Sequence, residues 1–340
     1  MKAIAYTHAR PIDAEDALIE IDLPEPAPHR RDLLIEVRAI GVNPVDTKLR
    51  RLAHPLGEPR VLGFDAAGIV RAIGPEVTHF GIGDEVWYAG TLQRPGANAE
   101  FQLVDERLVG HKPKRLSWAE AAAMPLTTIT AWEMLFDRLA LPRGARGDES
   151  GTGKTLLIIG GAGGVGSMAI QLTRRLTPLT VIATASRPES QEWCLKLGAD
   201  HVIDYRADMP GALAALGDRF ADNIFCTNAT DRHWPAIVRM IRPQGRVGLI
   251  DDPAPIDVRE LKGKSASLHW EAMFTRALYE TPDMSAQRDI LDAAARLVDD
   301  GVLVTTLAEH FGRITAANLI RAHAKIETGL MRGKIVLEGF

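Results

Sequence analysis

Two patterns of apolar and polar positions divide this chain. Up to about residue 124, apolar residues come in short runs cut by Gly and Pro, at 33–42, 68–73, 84–88 and 100–104. Such runs predict the strands of an irregular β-barrel domain. From residue 155 onward, apolar β-branched runs at 155–159, 179–184, 201–203, 223–227 and 246–250 alternate with helix-like stretches. Repeated βα units of this kind imply a parallel, doubly wound sheet. Mixed character then returns: 287–298 and 316–326 carry apolar residues at helical spacing, and 333–337 reads as a closing strand. The simplest arrangement is an α/β domain inserted in mid-chain and flanked by two pieces of one other domain. A length of 340 residues, long for a single core, agrees with two domains.

The inserted domain opens on TLLIIGGAGGVGSMAIQL, residues 155–172. A short apolar strand runs into clustered glycines, and Val165, Met168, Ala169 and Leu172 recur behind them at helical spacing. Gly161, Gly163 and Gly166 fit the G-x-G-x-x-G spacing, in which the glycines allow a tight turn, close approach of a pyrophosphate and close packing of helix on strand. Together with Ala162, Gly164 and Val165 they are the candidate phosphate cradle, with free N–H groups at the helix start facing the phosphates.

The next strand ends in Ala185-Ser186-Arg187, where an NAD-binding domain places Asp or Glu. A hydroxyl and a guanidinium suit a ribose 2′-phosphate instead, so the expected cofactor is NADPH. Asn228 follows the fourth strand at its carboxyl end, where ligands of such sheets bind.

Composition narrows the setting. A formal net charge of −4 gives no reason to expect nucleic acid or an anionic membrane as partner. No apolar run is long enough for a membrane span and MKAIAYTHARP lacks a signal-peptide core, so a cytoplasmic location is expected. Only Cys194 and Cys226 are present, too few for a disulfide framework or a four-cysteine zinc lobe. The polar loop at 143–154 ends in Gly153-Lys154 ahead of Thr155, but Asp148 stands where a P-loop needs Gly and a strand follows instead of a helix.

The ordered segments AIGVNPVDTKLR, VLGFDAAGIV, GDEVWYAG, AAAMPLTTITAWEML, LLIIGGAGGVGSMAIQL, LGADHVIDY and GKIVL resemble the medium-chain dehydrogenase/reductase superfamily. Within it the chain is similar to quinone oxidoreductases and to zinc-type alcohol dehydrogenase-like proteins. The resemblance implies a GroES-like β-barrel catalytic domain at 1–128 and 280–340 with a Rossmann NADP(H)-binding domain at 129–279 between them, and a cofactor cleft. It also implies that Asn43 lies near nicotinamide and substrate, that Lys48 contacts a substrate oxygen, that Thr130 touches the nicotinamide with Thr127 a second candidate, and that Tyr205 packs by the adenosine phosphate. Asp46 reads as structural. SASLHWEAMF resembles the edge strand through which Rossmann sheets of this superfamily pair, which implies a homodimer.

In zinc-holding members the three metal ligands are Cys, His and Cys; by the same resemblance those positions are Asn43, Phe64 and Leu126 here. Such residues offer no thiolate, imidazole or carboxylate, so no metal is expected. Hydride transfer to a quinone, or to the β-carbon of an α,β-unsaturated carbonyl, needs little carbonyl polarisation, and a small-molecule substrate of that class is the favoured expectation. The alternatives are an NADPH-binding sensor or structural protein of negligible turnover, and a zinc-type alcohol dehydrogenase.

Overall fold

The computed structural model describes residues 1–53, 55, 58–144, 153–217 and 219–340. The chain forms two compact units: Met1–Ile129 with Phe274–Phe340, and Thr130–Met273 between them. Re-entry into the first unit falls at Phe274, six residues before the position expected from the sequence, because the Phe274 ring packs edge-on against Phe64 with centroids 5.4 Å apart.

The first unit is built around the strand Asp32–Val42. Ala66–Ile73 pairs antiparallel along one edge, while Phe101–Asp105 takes residues 32–36 of the other edge and Lys334–Glu338 takes residues 39–42. The full sheet runs Leu307–His310, Lys334–Glu338, Asp32–Val42, Ala66–Ile73, Glu85–Tyr88, Val109–His111. The runs expected at 33–42, 68–73, 84–88 and 100–104 are all strands of this sheet, and the closing strand joins it. Gly41 is required by packing: a Cβ there would stand 2.3 Å from the carbonyl oxygen of Ala122, in the helix Trp118–Ala122. A second, three-stranded sheet joins Lys2–Tyr6, Ile19–Asp22 and Arg60–Val61.

Helix Pro44–Leu52 starts directly after the central strand. Pro44 at its first position supplies the φ a helix start needs, and Asp46 in the first turn folds back on the Asn43 N–H. The apolar face of Ala316–Glu327 packs against this helix.

The second unit holds six parallel strands in the order His201–Ile203, Thr180–Thr184, Thr155–Ile159, Ala221–Cys226, Ile241–Leu249, Ser267–Trp270. Thr155–Ile159 is wholly buried, as a central parallel strand must be. Helix Thr230–Met240 closes one face through Trp234, Ile237 and Met240, packed with Leu157, Ile224 and Val247. Strand Ile241–Leu249 begins five residues earlier than the expected 246–250, because Arg242-Pro243-Gln244-Gly245 reads as a turn. In the fold Gln244 takes a left-handed φ of 63°, the register shifts between Ala221 and Asn223, and the strand continues through the irregularity. Ser267–Trp270 lies at the sheet edge, as its resemblance implied. Of the polar loop at 143–154, residues 145–152 lie outside the described residues. Among the described residues no helix is long and apolar enough to cross a membrane.

Candidate functional site

The first unit carries a buried polar cluster at the start of helix Pro44–Leu52. Asn43, Asp46, Asp65 and Lys334 are each at least 96% buried. The Lys334 ammonium donates to Asp65 Oδ2 at 2.7 Å and to Asn43 Oδ1. Asn43 Nδ2 donates to Asp65 Oδ2 at 2.8 Å, and Leu126 N donates to Asp65 Oδ1 at 2.7 Å. Asp46 accepts from Asn43 N at 2.8 Å and from Gly63 N at 3.0 Å, tying the helix start to the turn before Phe64.

Two carboxyls therefore face one ammonium out of contact with water. Burial pushes the Asp65 carboxyl up, with the Lys334 charge pulling the other way. Burial pushes Asp46 up to about 7, against the pull of the Asn43 and Gly63 N–H groups and of Lys334.

The geometry changes what Asn43 can do. Its carboxamide is engaged at both ends, by Lys334 and by Asp65, so the side chain is turned into the protein instead of being held open for a ligand. Lys48 is half-buried on the helix that Asn43 caps, within a turn of Asp46. The Thr127 hydroxyl donates to Met124 O at 3.0 Å and is spent within its own turn. Thr130 is buried, and it is the first residue of the second unit.

In the second unit, helix Gly164–Leu176 begins behind Gly163 with no side-chain cap. Its first N–H groups are therefore left for another acceptor. Gly161 is needed for packing, since a Cβ there would lie 2.8 Å from the Ala183 Cβ. Gly160 turns with φ +85°, and a Cβ on it would meet Asn228 Oδ1 at 2.8 Å, so Asn228 borders the glycine loop between the first and fourth strands. Ala162, Gly164 and Val165 are part-exposed on the same turn. A diphosphate fits this cradle: small residues leave room, and uncapped N–H groups supply donors.

At the end of Thr180–Thr184, Ser186 Oγ donates to Tyr205 Oη at 2.9 Å. Arg187 caps helix Pro188–Leu197, its guanidinium 3.5 Å from Glu189 and 3.3 Å from Ser190 Oγ. Arg206 donates to the Ser186 carbonyl at 2.6 Å and forks onto Asp204. The strand end thus carries two guanidiniums, two hydroxyls and a phenol ring edge suited to a phosphate monoester on a ribose.

Three of these residues escaped the reading of the sequence. Asp65 and Lys334 lie inside GFDAAG and GKIVL, segments that served there only as marks of resemblance, and 269 residues separate the two partners. Arg206 directly follows Tyr205 in VIDYR, and a second basic residue beside that tyrosine was the signal that could have found it.

The positions of a zinc site do not fit a metal. The Phe64 ring is packed on Phe274, Leu126 contributes only a backbone N–H directed at Asp65, and Asn43 is bonded as described. Among the described residues no group of three or more His, Cys, Asp or Glu side chains could hold a metal ion.

Residues 29–129 match the alcohol dehydrogenase GroES-like domain, and residues 197–337 match the family described as zinc-binding dehydrogenase. The chain is 40% identical over 341 residues to a zinc-type alcohol dehydrogenase-like protein of Staphylococcus aureus (strain MSSA476), covering 99% of both. It is 38% identical over 219 residues to the 2-methylene-furan-3-one reductase of Solanum lycopersicum, covering 60% of this chain and 52% of that one. Among solved structures, a Rhizobium etli CFN 42 protein described as a zinc-dependent alcohol dehydrogenase superposes with a TM-score of 0.96 at 54% identity, over 100% of this chain and 98% of that one. Mycobacterial Rv1454c, solved with NADPH, superposes with a TM-score of 0.82 at 26% identity, over 99% and 100%. This chain belongs to the medium-chain dehydrogenase/reductase superfamily, with a GroES-like domain and an inserted Rossmann domain. It is an oxidoreductase of that superfamily.

Proposed function

We propose that this protein is an NADPH-dependent, zinc-independent reductase of quinones or α,β-unsaturated carbonyls. The observation that carries the reading is the pairing of an intact diphosphate cradle with Asn43, Phe64 and Leu126, three positions at which a metal finds no donor set. The enone reductase of Solanum lycopersicum and the NADPH-bound mycobacterial structure lend support from the same superfamily.

Gly163 and Gly164 at the uncapped helix start would hold the diphosphate of the cofactor, on a turn shaped by the packing of Gly161 and Gly166, and Ser186, Arg187, Tyr205 and Arg206 would hold its 2′-phosphate. Bound there, NADPH supplies a hydride. Lys48 meets the substrate oxygen, where its ammonium stabilises the negative charge that builds when the β-carbon gains that hydride and the C=C pair moves toward the carbonyl. A proton taken from solvent water then adds at the α-carbon, which completes saturation of the bond and leaves the C=O in place. Thr130 lines the nicotinamide side. Asn43 acts at one remove: its bonds to Lys334 and Asp65 fix the start of the helix that carries Lys48.

The test is NADPH oxidation by purified protein with a panel of quinones and enones, together with product identification. Turnover that gives hydroquinone or saturated ketone supports the reading. Oxidation of simple alcohols that depends on added zinc would replace it.

A further inference from the structure

Tyr205 does not stand alone beyond the end of strand His201–Ile203. Its ring meets the imidazole of His233 edge-on, with centroids 5.8 Å apart and planes at 72°. His233 lies one turn into helix Thr230–Met240, which follows Asn228 and the strand before it. That turn is pinned: Thr230 N and Oγ1 donate to the two oxygens of Asp251 at 2.9 and 2.5 Å, and His233 N donates to the Ala229 carbonyl at 3.1 Å. Trp234 beside it is in the core, so His233 is held half-buried at the boundary while Tyr205 stays part-exposed. Among the described residues the imidazole has this ring contact but no hydrogen bond. Since the Tyr205 oxygen accepts from Ser186, the three side chains form a row from the end of Thr180–Thr184 to the helix after Ala221–Cys226.

We propose that His233 is a further specificity residue for the cofactor: protonated, it adds a positive charge to the row that receives the ribose 2′-phosphate, so that preference for a 2′-phosphorylated nucleotide strengthens as pH falls. The inference rests on the NADPH reading of Ser186, Arg187, Tyr205 and Arg206. To two guanidiniums of constant charge it adds one charge that titrates near neutrality. Burial opposes that charge most and, with Arg232, pushes His233 below its usual 6.5, while Asp231 and Asp251 pull the other way. The segment that brings Tyr205 carries Asp204 and Arg206, bonded to each other, and helix Met209–Ala215, packed on the same helix, is preceded by Asp208, 4.0 Å from Arg239. An arriving phosphate, with its second pKa at about 6, moves the balance toward imidazolium. The gain in binding is therefore full below the pKa of the free protein and is lost as pH rises through the higher pKa of the complex.

The test uses adenosine 2′,5′-bisphosphate and 5′-AMP, neither of which carries a nicotinamide, titrated by calorimetry into the full chain from pH 5.5 to 8.5. The ratio of bisphosphate affinities, wild type over His233→Gln, should grow about three- to tenfold between pH 8.5 and pH 5.5, the linkage expected of an imidazole whose pKa rises by about one unit on binding. Titration of the bisphosphate itself is common to both proteins and cancels. The same ratio for 5′-AMP should stay flat. His233→Arg, with a permanent charge, should bind the bisphosphate tightly and lose this pH dependence. In wild-type protein with 15N-labelled histidine, the imidazole in contact with the Tyr205 ring should titrate below 6.5 when free and move up with the bisphosphate but not with 5′-AMP.

A bisphosphate ratio independent of pH, a His233→Arg protein with the wild-type slope, or a His233 signal that the bisphosphate leaves in place would each overturn the inference. Should the variants not fold, the histidine signal of the wild-type protein still decides. Failure of the underlying reading looks different: wild-type protein would then bind adenosine 2′,5′-bisphosphate no better than 5′-AMP at every pH, and the role of His233 would fall with it. A bisphosphate preference that survives in His233→Gln with an unchanged pH profile removes His233 alone.

Discussion

A methyl group on Gly166 would stand 2.3 Å from the carbonyl oxygen of Gly160 and 2.7 Å from that of Gly161, whereas one on Gly163 would meet its nearest neighbour, also Gly160 O, at 3.5 Å. The two glycines of one motif therefore answer to different demands. Gly166 is there for the fold and Gly163 for what approaches it. Gly166→Ala should lower stability by about 1–3 kcal/mol, the usual range for forcing extra volume into a packed place. Gly163→Ala should melt like wild type yet bind NADPH more weakly. Thermal melts and fluorescence titration on both variants check this, and identical behaviour of the two would refute the division.

Cofactor choice should reside in the two guanidiniums at the strand end. Loss of a charge-assisted bond to phosphate costs about 1.5–3 kcal/mol, roughly ten- to a hundredfold in affinity. Arg187→Ala and Arg206→Ala should each weaken NADPH that much and leave NADH nearly unchanged. Dissociation constants for both cofactors decide it, and equal losses would remove these residues from 2′-phosphate recognition.

Lys48→Ala should lower enone turnover by about a hundredfold, as expected for loss of one donor to a developing oxyanion. Quinones, which accept hydride without that help, should lose far less. The main product with enones should be the saturated ketone. Recovery of an allylic alcohol, or equal losses for both substrate types, would count against a Lys48–oxygen contact.

The buried His323 should make the protein sensitive to acid. Among the described residues neither ring nitrogen has a hydrogen-bond partner, and burial, aided by the Arg50 charge, pushes its pKa down to about 3 from 6.5. Between those values the unfolded chain takes up a proton that the folded chain refuses. Stability from this group is therefore complete above pH 6.5 and falls by about 1.4 kcal/mol per pH unit as pH drops toward 3. Asp46 acts in the opposite direction: its raised pKa means the folded chain keeps a proton that the unfolded one loses between 3.8 and about 7. The quantity to measure is thus the difference between wild type and His323→Leu in denaturant melts from pH 4 to 8. The gap should change by about 1.4 kcal/mol per unit below 6.5 and stay flat above it.

Among the described residues, strand Ser267–Trp270 has a single neighbour in its sheet, and Trp270 is 51% exposed. An unpaired edge of this kind takes up a symmetry-related strand readily. Light scattering at micromolar concentration should give a dimer mass, and Trp270→Pro, which removes an N–H on the side away from Arg246–Leu249, should shift it toward monomer. A wild-type monomer would exclude pairing through this edge.

The fold was legible where pattern and backbone demand coincide. The buried strand Thr155–Ile159 and the glycines behind it can mean little else, and the amphipathic helices Ala286–Asp299 and Ala316–Glu327 lie within a residue of their apolar periodicity. What pattern could not reach was pairing over distance. Lys334 is one basic residue before an apolar run, and nothing local says that its ammonium is buried against Asp65. Asn43 stood out in the sequence for its resemblance alone, and its bonds point inward because the partners that claim it arrive from elsewhere in the chain. Gln244 shows the reverse case: local residues spelled a turn, and pairing with Ala221–Cys226 and Ser267–Trp270 kept the strand going.

The position of Lys334 on the closing strand also bears on the order in which the molecule can be assembled. The second unit is one unbroken stretch, Thr130–Met273, and every strand of its sheet is available once that stretch has left the ribosome. The first unit has no such independence. One edge of its central strand is open along residues 39–42, and the Asp65 carboxylate lacks its counter-charge, until Lys334–Glu338 has been synthesised. A nascent chain therefore holds a finished inserted unit beside a barrel that must stay open and hydrated at Asp65. Docking of Lys334–Glu338 both closes the sheet and neutralises the buried charge, so arrival of that strand and locking of the site are a single event.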